Sequence, residues 1–570
     1  MATDTVCRAA PRRKEPSAGT GTRVMTDADI DHGGQWQHWV EQDWSEIPGN
    51  DTSRLEVWGY TGKLSYRPGE SLDLHVSTTA ETYSVEIFRD GARWQRVYRM
   101  DGLPGQWHKT PANCYEAGCD WPVAHRFEIP GDWKSGGYVV SFKARRDNRR
   151  IEQHGFFVLR PLAPGSGKLA LVAATSTWIA YNDWGGASHY SLAGAAGSGL
   201  GGAQSPFSPR LSIERPWARG LIRRPAGAPR IPVRAAVPPN WAPRRESMEW
   251  AFATGHSKWS AASGWAMYEA PFARWAERQG YALDYFSQHD LHFGDEFETA
   301  YPCIVTTGHD EYWSHEMRST IDRFVAGGGN LARFGGNFVW QIRLEDEGRV
   351  QVCYKYTADE LDPVRDDPER GHLLTNAWES RSVNRPGVTT VAANGLRGVY
   401  ARFGAANPRS SGGFTVYRPG HWAFAGTDLY YGDVFGGEVP LVGYECDGLS
   451  YSFEYGIPVP TGEDGAPTNG SLRILALAPA TLGEENHRHY GAVLSVGDAD
   501  EVFAAKALYG SASAENRRKV RYGSAVITEM SKGDGTVFCA GTTEWPAALD
   551  QGNDYCVQMT RTVLDRFTGS

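Results

Sequence analysis

The hydrophobic pattern of this chain changes character once, at a proline- and glycine-rich stretch from Pro161 to Gly167, and that change constrains the fold more than any other feature. Before it, apolar and polar residues alternate in short runs: LEVWGYTG from Leu55, SLDLHVST from Ser71, YSVEIFRDG from Tyr83, RFEIPG from Arg126, GYVVSFKAR from Gly137 and HGFFVLR from His154. A period of two marks strands with one buried face. Turn residues separate the runs at Pro68-Gly69, Asp90-Gly91, Pro130-Gly131 and Gly136-Gly137. Short strands in such a series, with no helical period, predict an immunoglobulin-like β-sandwich over residues 53–162. After the hinge, LALVAAT from Leu169 is apolar without interruption, as a strand buried on both faces must be. WAMYEAPFARWAERQG from Trp265 then repeats at the helical period and stops at Gly280. YALDYFS, YPCIVTTG and NLARFGG read as further strands, and the segment from His315 to the glycines at 327–329 as a helix. Alternating strands and helices of this kind build an open α/β sheet that is mainly parallel.

Residues 1–52 are polar and read as a partly disordered tail, in which Gln35–Trp39 is a docking candidate. Residues 163–570 then form the α/β unit, which carries a long irregular insert over 194–245. Between Gly201 and Arg245 the insert has nine prolines and nine arginines but a single acidic residue, Glu214. Such a segment is a functional lid, a partner for something acidic, or a solvated surface loop. The final third returns to strands at SLRILALAPA, VITEMS and TVFCAGTTEW, and ends in an amphipathic helix from Tyr555.

Charge and composition exclude several classes. With 58 basic and 67 acidic side chains the formal charge is −9, so nucleic acid and anionic membranes are not expected partners. No apolar run approaches the roughly 20 residues of a membrane span. The N-terminus lacks the apolar core of a secretory signal, and a cytoplasmic protein is expected. Of eight cysteines only Cys114 and Cys119 are close, as C-x4-C with no second pair, which is not a zinc-ribbon spacing. A local disulfide or two free thiols fit there, and free thiols are the simpler expectation.

In an open α/β sheet, ligands bind beyond the carboxyl ends of the strands. Polar and aromatic residues cluster at those positions: Tyr181 to Tyr190 after the first strand, His309-Asp310-Glu311 after YPCIVTTG, and Asn337 after NLARFGG. Lys355 and Glu445 lie in two later loops. The serine-hydrolase elbow G-x-S-x-G, the P-loop, a dinucleotide G-x-G-x-x-G and HExxH are all missing. Taken alone, Glu311 reads as a cap of the helix starting near Ser314, His309 as a structural histidine or proton carrier, and the two tyrosines as packing residues.

Read together and in order, WIAYNDWGGASHY, TTGHDEYWSHEMR, GGGNLARFGGNFVWQIR, VCYKY and GYECDG resemble the large subunit of bacterial N,N-dimethylformamidase over residues 165–570. The resemblance implies an amidotransferase-like α/β core and a mononuclear ferric site, Fe(3+), held by Tyr181, Tyr190 and Glu311. It implies that His309 either supports the metal ligands from behind or moves protons, and that Asn337, Lys355 and Glu445 line the pocket. The implied substrate is a small-molecule amide, and the implied partner a small second subunit, with self-association as the alternative. The family pattern has a proline between the site histidine and glutamate, where this chain has Asp310. Phenolate and carboxylate are hard donors suited to such an ion. A polarised carbonyl and an activated water are what amide hydrolysis needs. Two rival expectations stand beside this one: a metal-free hydrolase using Glu445 and His309, and a non-catalytic carbohydrate- or partner-binding protein on the same sheet.

Overall fold

A nine-stranded sheet organises the chain after the hinge. In spatial order its strands are Leu283–Ser287, Leu169–Ala173, Cys303–His309, Asn330–Gly336, Gly535–Cys539, Tyr522–Lys532, Leu472–Thr481, Phe414–Val416 and Val434–Phe435. The structure, a computed structural model, describes residues 46–48, 50–195, 206–231, 246–294, 297–400, 412–481 and 496–569. Most of the expected tail, with Gln35–Trp39, and the two flanks of the insert lie outside these residues.

The first five strands are parallel. Parallel neighbours need a crossover, and the helix His315–Ala326 supplies one between Cys303–His309 and Asn330–Gly336. The remaining strands are antiparallel, so the sheet is mixed rather than mainly parallel. The physical reason lies in the turn Gly533–Asp534, with Gly533 at φ 58°. Lys532 pairs with Gly535, and a two-residue connection joins antiparallel strands only.

Before the hinge, two sheets share one apolar core. Val57–Thr61, Ser71–Thr78 and Val123–Glu128 form the smaller; Ser65–Tyr66, Arg149–Leu159, Gly136–Arg146, Thr82–Asp90 and Trp94–Pro104 form the larger. Leu72, Leu74, Val85, Ile87, Val140 and Phe157 meet between them. The larger sheet is fastened to the helix Glu269–Arg278. Arg274 forms a two-pronged pair with Asp90 at 2.7 Å, and Arg89 pairs with Glu277 at 2.6 Å. Both regions therefore belong to a mixed α/β chain with several sheets, none of them a closed barrel.

The described part of the insert, residues 206–231, is built into the fold, which corrects the expectation of an irregular solvated loop. Arg210–Ser212 is an edge strand on Val350–Val352, in a sheet that continues through Trp340–Glu345 to Tyr312–Ser314. Arg215, Trp217 and Leu221 are buried. Two of its arginines meet acids of the same chain: Arg210 with Glu345 at 2.6 Å and Arg230 with Glu544 at 2.7 Å. Burial of these groups was invisible in composition, because the acids are far away in sequence.

Candidate active site

Parallel pairing decides where the chemistry gathers. His309 lies opposite Gly336 in register, so the chain leaves the sheet at one edge with Asp310-Glu311 on one strand and Asn337 on the next. Leu169–Ala173 leads into the helix Thr175–Tyr181, which delivers Tyr181 at its last position. The short strand Tyr312–Ser314 and Trp340–Glu345 then wall the site from beyond the sheet. All seven expected side chains meet in this space, and all are buried.

Glu311 is the hub. It accepts from the Tyr181 hydroxyl at 3.1 Å, from the Tyr190 hydroxyl at 2.7 and 2.8 Å to its two oxygens, and from Trp340 Nε1 at 2.7 Å. His309 Nε2 lies 3.2 Å from Glu311 and 2.9 Å from Glu445. The other imidazole nitrogen, Nδ1, is 2.6 Å from the Ala262 carbonyl and donates to it. Asn337 Nδ2 donates to Glu445 at 2.7 Å, while its Oδ1 is buried without a hydrogen-bond partner. Lys355 Nζ sits 3.4 Å from the centre of the Tyr190 ring and donates to the His189 carbonyl at 3.2 Å. Asn337 (φ 65°) and Lys355 (φ 49°) both hold the left-handed backbone conformation, whose cost is tolerated mainly where the surroundings demand it.

Burial and neighbouring charge set the protonation states. Burial would lower the pKa of His309, but the Glu445 and Glu311 carboxylates outweigh it and hold the imidazole well above its ordinary value. The two acids thus bias the ring toward its protonated form. Burial would raise Glu311, yet His309 and Lys355 keep it below the usual carboxylate value. Both tyrosines are pushed well above 10 by burial first and by Glu311 second. They are neutral phenols here, and ionising them requires a strongly charged cation alongside.

This oxygen set suits such a cation. Its two phenol oxygens each touch Glu311, so three hard donors already face one another. Among the described residues no group of three or more His, Cys, Asp or Glu side chains is set to hold a metal. A phenol-based set is of a different kind, and Tyr181, Tyr190 and Glu311 are the side chains that could form it.

Helix capping does not explain Glu311. The helix His315–Ala326 is capped by Ser314, whose hydroxyl accepts from Met317 N at 3.1 Å. Three aromatic side chains inside the quoted motifs received no role from the sequence. Trp340 and Tyr312, whose hydroxyl donates to Tyr190 at 2.7 Å, flank the carboxylate and its phenols. Tyr444 is hydrogen-bonded to Tyr181, and its ring lies 5.5 Å from His309. Each adjoins or lies near a motif residue, and that proximity was the available signal. Asp310 faces elsewhere: it accepts from Trp313 Nε1 at 2.7 Å and Gln288 Nε2 at 3.0 Å.

Among the described residues no helix is long and apolar enough to cross a membrane. A comparison with curated proteins finds no match. The sequence family described as N,N-dimethylformamidase beta subunit-like, C-terminal, matches residues 84–557. The match reaches back into the strand Thr82–Asp90, well before the hinge, and so takes in much of the two-sheet region as well. With most of its length matched, the chain belongs to the N,N-dimethylformamidase beta subunit-like family.

Proposed function

We propose that this chain is an amide hydrolase of the N,N-dimethylformamidase type, cleaving the C–N bond of a small, uncharged amide. The observation that carries the reading is the convergence of Tyr181, Tyr190 and Glu311 beside the His309–Glu445 pair. In this reading the three oxygen donors hold one ferric ion. Bound there, it supplies Lewis acidity, polarising a carbonyl and lowering the pKa of a water.

The rest is work for the chain's own groups. Glu445 is the base that takes a proton from the attacking water, since the neighbouring carboxylates bias His309 toward its protonated form. His309 is the acid that returns a proton to the departing amine nitrogen. Asn337 turns its Nδ2 to Glu445 at 2.7 Å and to His309 Nε2 at 3.0 Å, so its contribution is the unpartnered Oδ1, an acceptor for the water or for an amide N–H. That leaves Lys355 as the cation nearest to a developing oxyanion. Trp259 packs against both phenol rings and Tyr444 stands beside His309, an aromatic surface that favours an uncharged substrate.

The same reading takes residues 53–162 as an immunoglobulin-like module and 163–570 as an amidotransferase-like catalytic unit in the cytoplasm. The shared core of the two N-terminal sheets and the parallel half of the large sheet support it. The words "beta subunit-like" in the family description support an assembly with a small second subunit, or with further copies of this chain. A metal-free hydrolase remains the second reading, favoured by the 2.9 Å contact of His309 with Glu445. A panel of simple formamides and acetamides, assayed with and without a chelator that strips iron, separates the two. Turnover that disappears on stripping and returns with ferric ion is expected; undiminished turnover in the stripped protein supports the second reading, and no turnover of any amide defeats both.

A further inference from the structure

The segment that joins the two candidate tyrosine ligands rests on a pair of thiols. Cys114, at the start of the short helix Cys114–Ala117, and Cys119, just past its end, are both buried and free. Cys114 Sγ also contacts the Gly185 carbonyl at 3.9 Å. A Cβ on Gly185 would come within 2.4 Å of that sulfur, so the loop and the thiol are in the closest packing that glycine allows.

A buried guanidinium ties the same parts together. Arg215 Nε donates to Ser212 O at 3.1 Å, and its Nη1 donates to Ala187 O at 3.1 Å and to Trp184 O. Its remaining nitrogen, Nη2, has no hydrogen-bond partner, although the residue is only 1 % exposed. Cys114 and Cys119 are the acidic groups that act on it most strongly. Cys119 draws the Cys114 thiol below its ordinary value against the effect of burial, and Arg215 adds to this. Burial, and then Cys114, push Cys119 the other way. Cys114 also lines a cavity that Cys119 does not reach, so Cys114 is placed to attack and Cys119 to resolve.

Access comes from a cavity of about 690 Å³ bounded by Ile47, Lys109, Cys114, Gly185 and Leu192. That volume is within the range of small-molecule sites, and Lys109 offers a cation to an acidic ligand. We propose that Cys114 and Cys119 form a thiol–disulfide exchange site for a small acidic disulfide of the glutathione class, and that its state is transmitted to the loop from Tyr181 to Tyr190. The Cys114 thiolate attacks the sulfur–sulfur bond of the small disulfide, forming a mixed disulfide and expelling one thiolate. Cys119 gives its proton to that thiolate and attacks Cys114 sulfur, releasing the second thiolate, which takes up the proton Cys114 lost. The protein loses two hydrogens, and the small disulfide becomes two thiols. Any consequence for amide turnover rests on the reading of the site above; the thiol chemistry does not.

The full chain incubated with oxidised glutathione, followed by intact mass and mapping of the peptide between Lys109 and Arg126, tests the exchange. Expected are a loss of two hydrogens within that peptide, reversed by dithiothreitol, and a trapped glutathione on Cys114 in Cys119→Ser. No change in that peptide in the unsubstituted chain, or an adduct confined to other cysteines, overturns the proposal. Transmission is read separately by tryptophan emission. Trp184 lies in the loop and packs 5.6 Å from Trp58 and 6.0 Å from Trp121. An emission change that accompanies oxidation and is missing in Cys114→Ser supports transmission; oxidation with no emission change refutes it.

Discussion

Three consecutive residues divide between two buried polar clusters, and the clusters differ in kind. His309 and Glu311 face the phenols, whereas Asp310 turns to Arg333, 3.6 Å away. Arg333 is fully buried and donates to Asp447 at 2.6 Å and to the Gly335 carbonyl at 3.0 Å. Asp447 in turn accepts from Phe338 N at 2.8 Å, which fixes the chain just past Asn337. That cluster is a fixed-charge brace. In the other, one imidazole stands between two carboxylates, beside two phenols that also reach Glu311. The alternation of side-chain direction at the end of an extended strand puts both within one turn of chain. A guanidinium–carboxylate brace next to a cluster of proton-carrying groups is what a rigid reaction centre requires.

The contrast predicts different failures. Glu445→Gln keeps the shape but removes the base, so amide turnover should fall by ~10²–10⁴-fold with an unchanged unfolding midpoint, read by steady-state kinetics beside denaturant melts. Asp447→Ala should do the reverse: leaving Arg333 buried with only the longer 3.6 Å ion pair to Asp310 costs about 3–5 kcal/mol, seen as an early urea midpoint. If Asp447→Ala unfolds normally and loses only activity, the brace assignment is wrong.

A smaller effect is expected at Tyr312. Its hydroxyl supports Tyr190 from behind, so Tyr312→Phe should weaken iron binding by roughly 10–100-fold, measured by competition with a chelator. The smallest concerns a third buried carboxylate. Glu269 accepts from Ala174 N and Trp178 Nε1, both at 3.0 Å, and burial raises its pKa from 4.5 to about 8. A raised carboxylate contributes stability that is whole below its unfolded value and is lost as pH climbs through its folded value. Glu269→Gln should therefore flatten the stability profile between about pH 4.5 and pH 8. An unchanged slope there would mean that Glu269 is ionised in the fold.

Much of this arrangement was legible in the residues. Continuous apolar runs gave away the parallel strands, and their carboxyl ends marked where Glu311, His309 and Asn337 would meet. The motif strings brought in Tyr181, Tyr190, Lys355 and Glu445, which no periodicity could have joined across more than 250 residues of chain. Other features stayed hidden for physical reasons. The glycine–aspartate turn at 533–534 was not read as a hairpin, and so the antiparallel half of the sheet was missed. The insert carries arginines whose partners, Glu345 and Glu544, are distant in sequence, and they look like solvent-facing charge until the fold brings the acids to them. Tyr312, Trp340 and Tyr444 were passed over because an aromatic side chain packs in most places, and only geometry reveals one that donates to a reacting group.

The most direct test of the centre is optical and elemental analysis of the purified chain loaded with ferric ion. About one iron per chain is expected, with a visible phenolate-to-iron absorption that shifts in Tyr181→Phe and Tyr190→Phe and vanishes in Glu311→Ala. A colourless protein that takes up no iron, or a band untouched by all three substitutions, would contradict it.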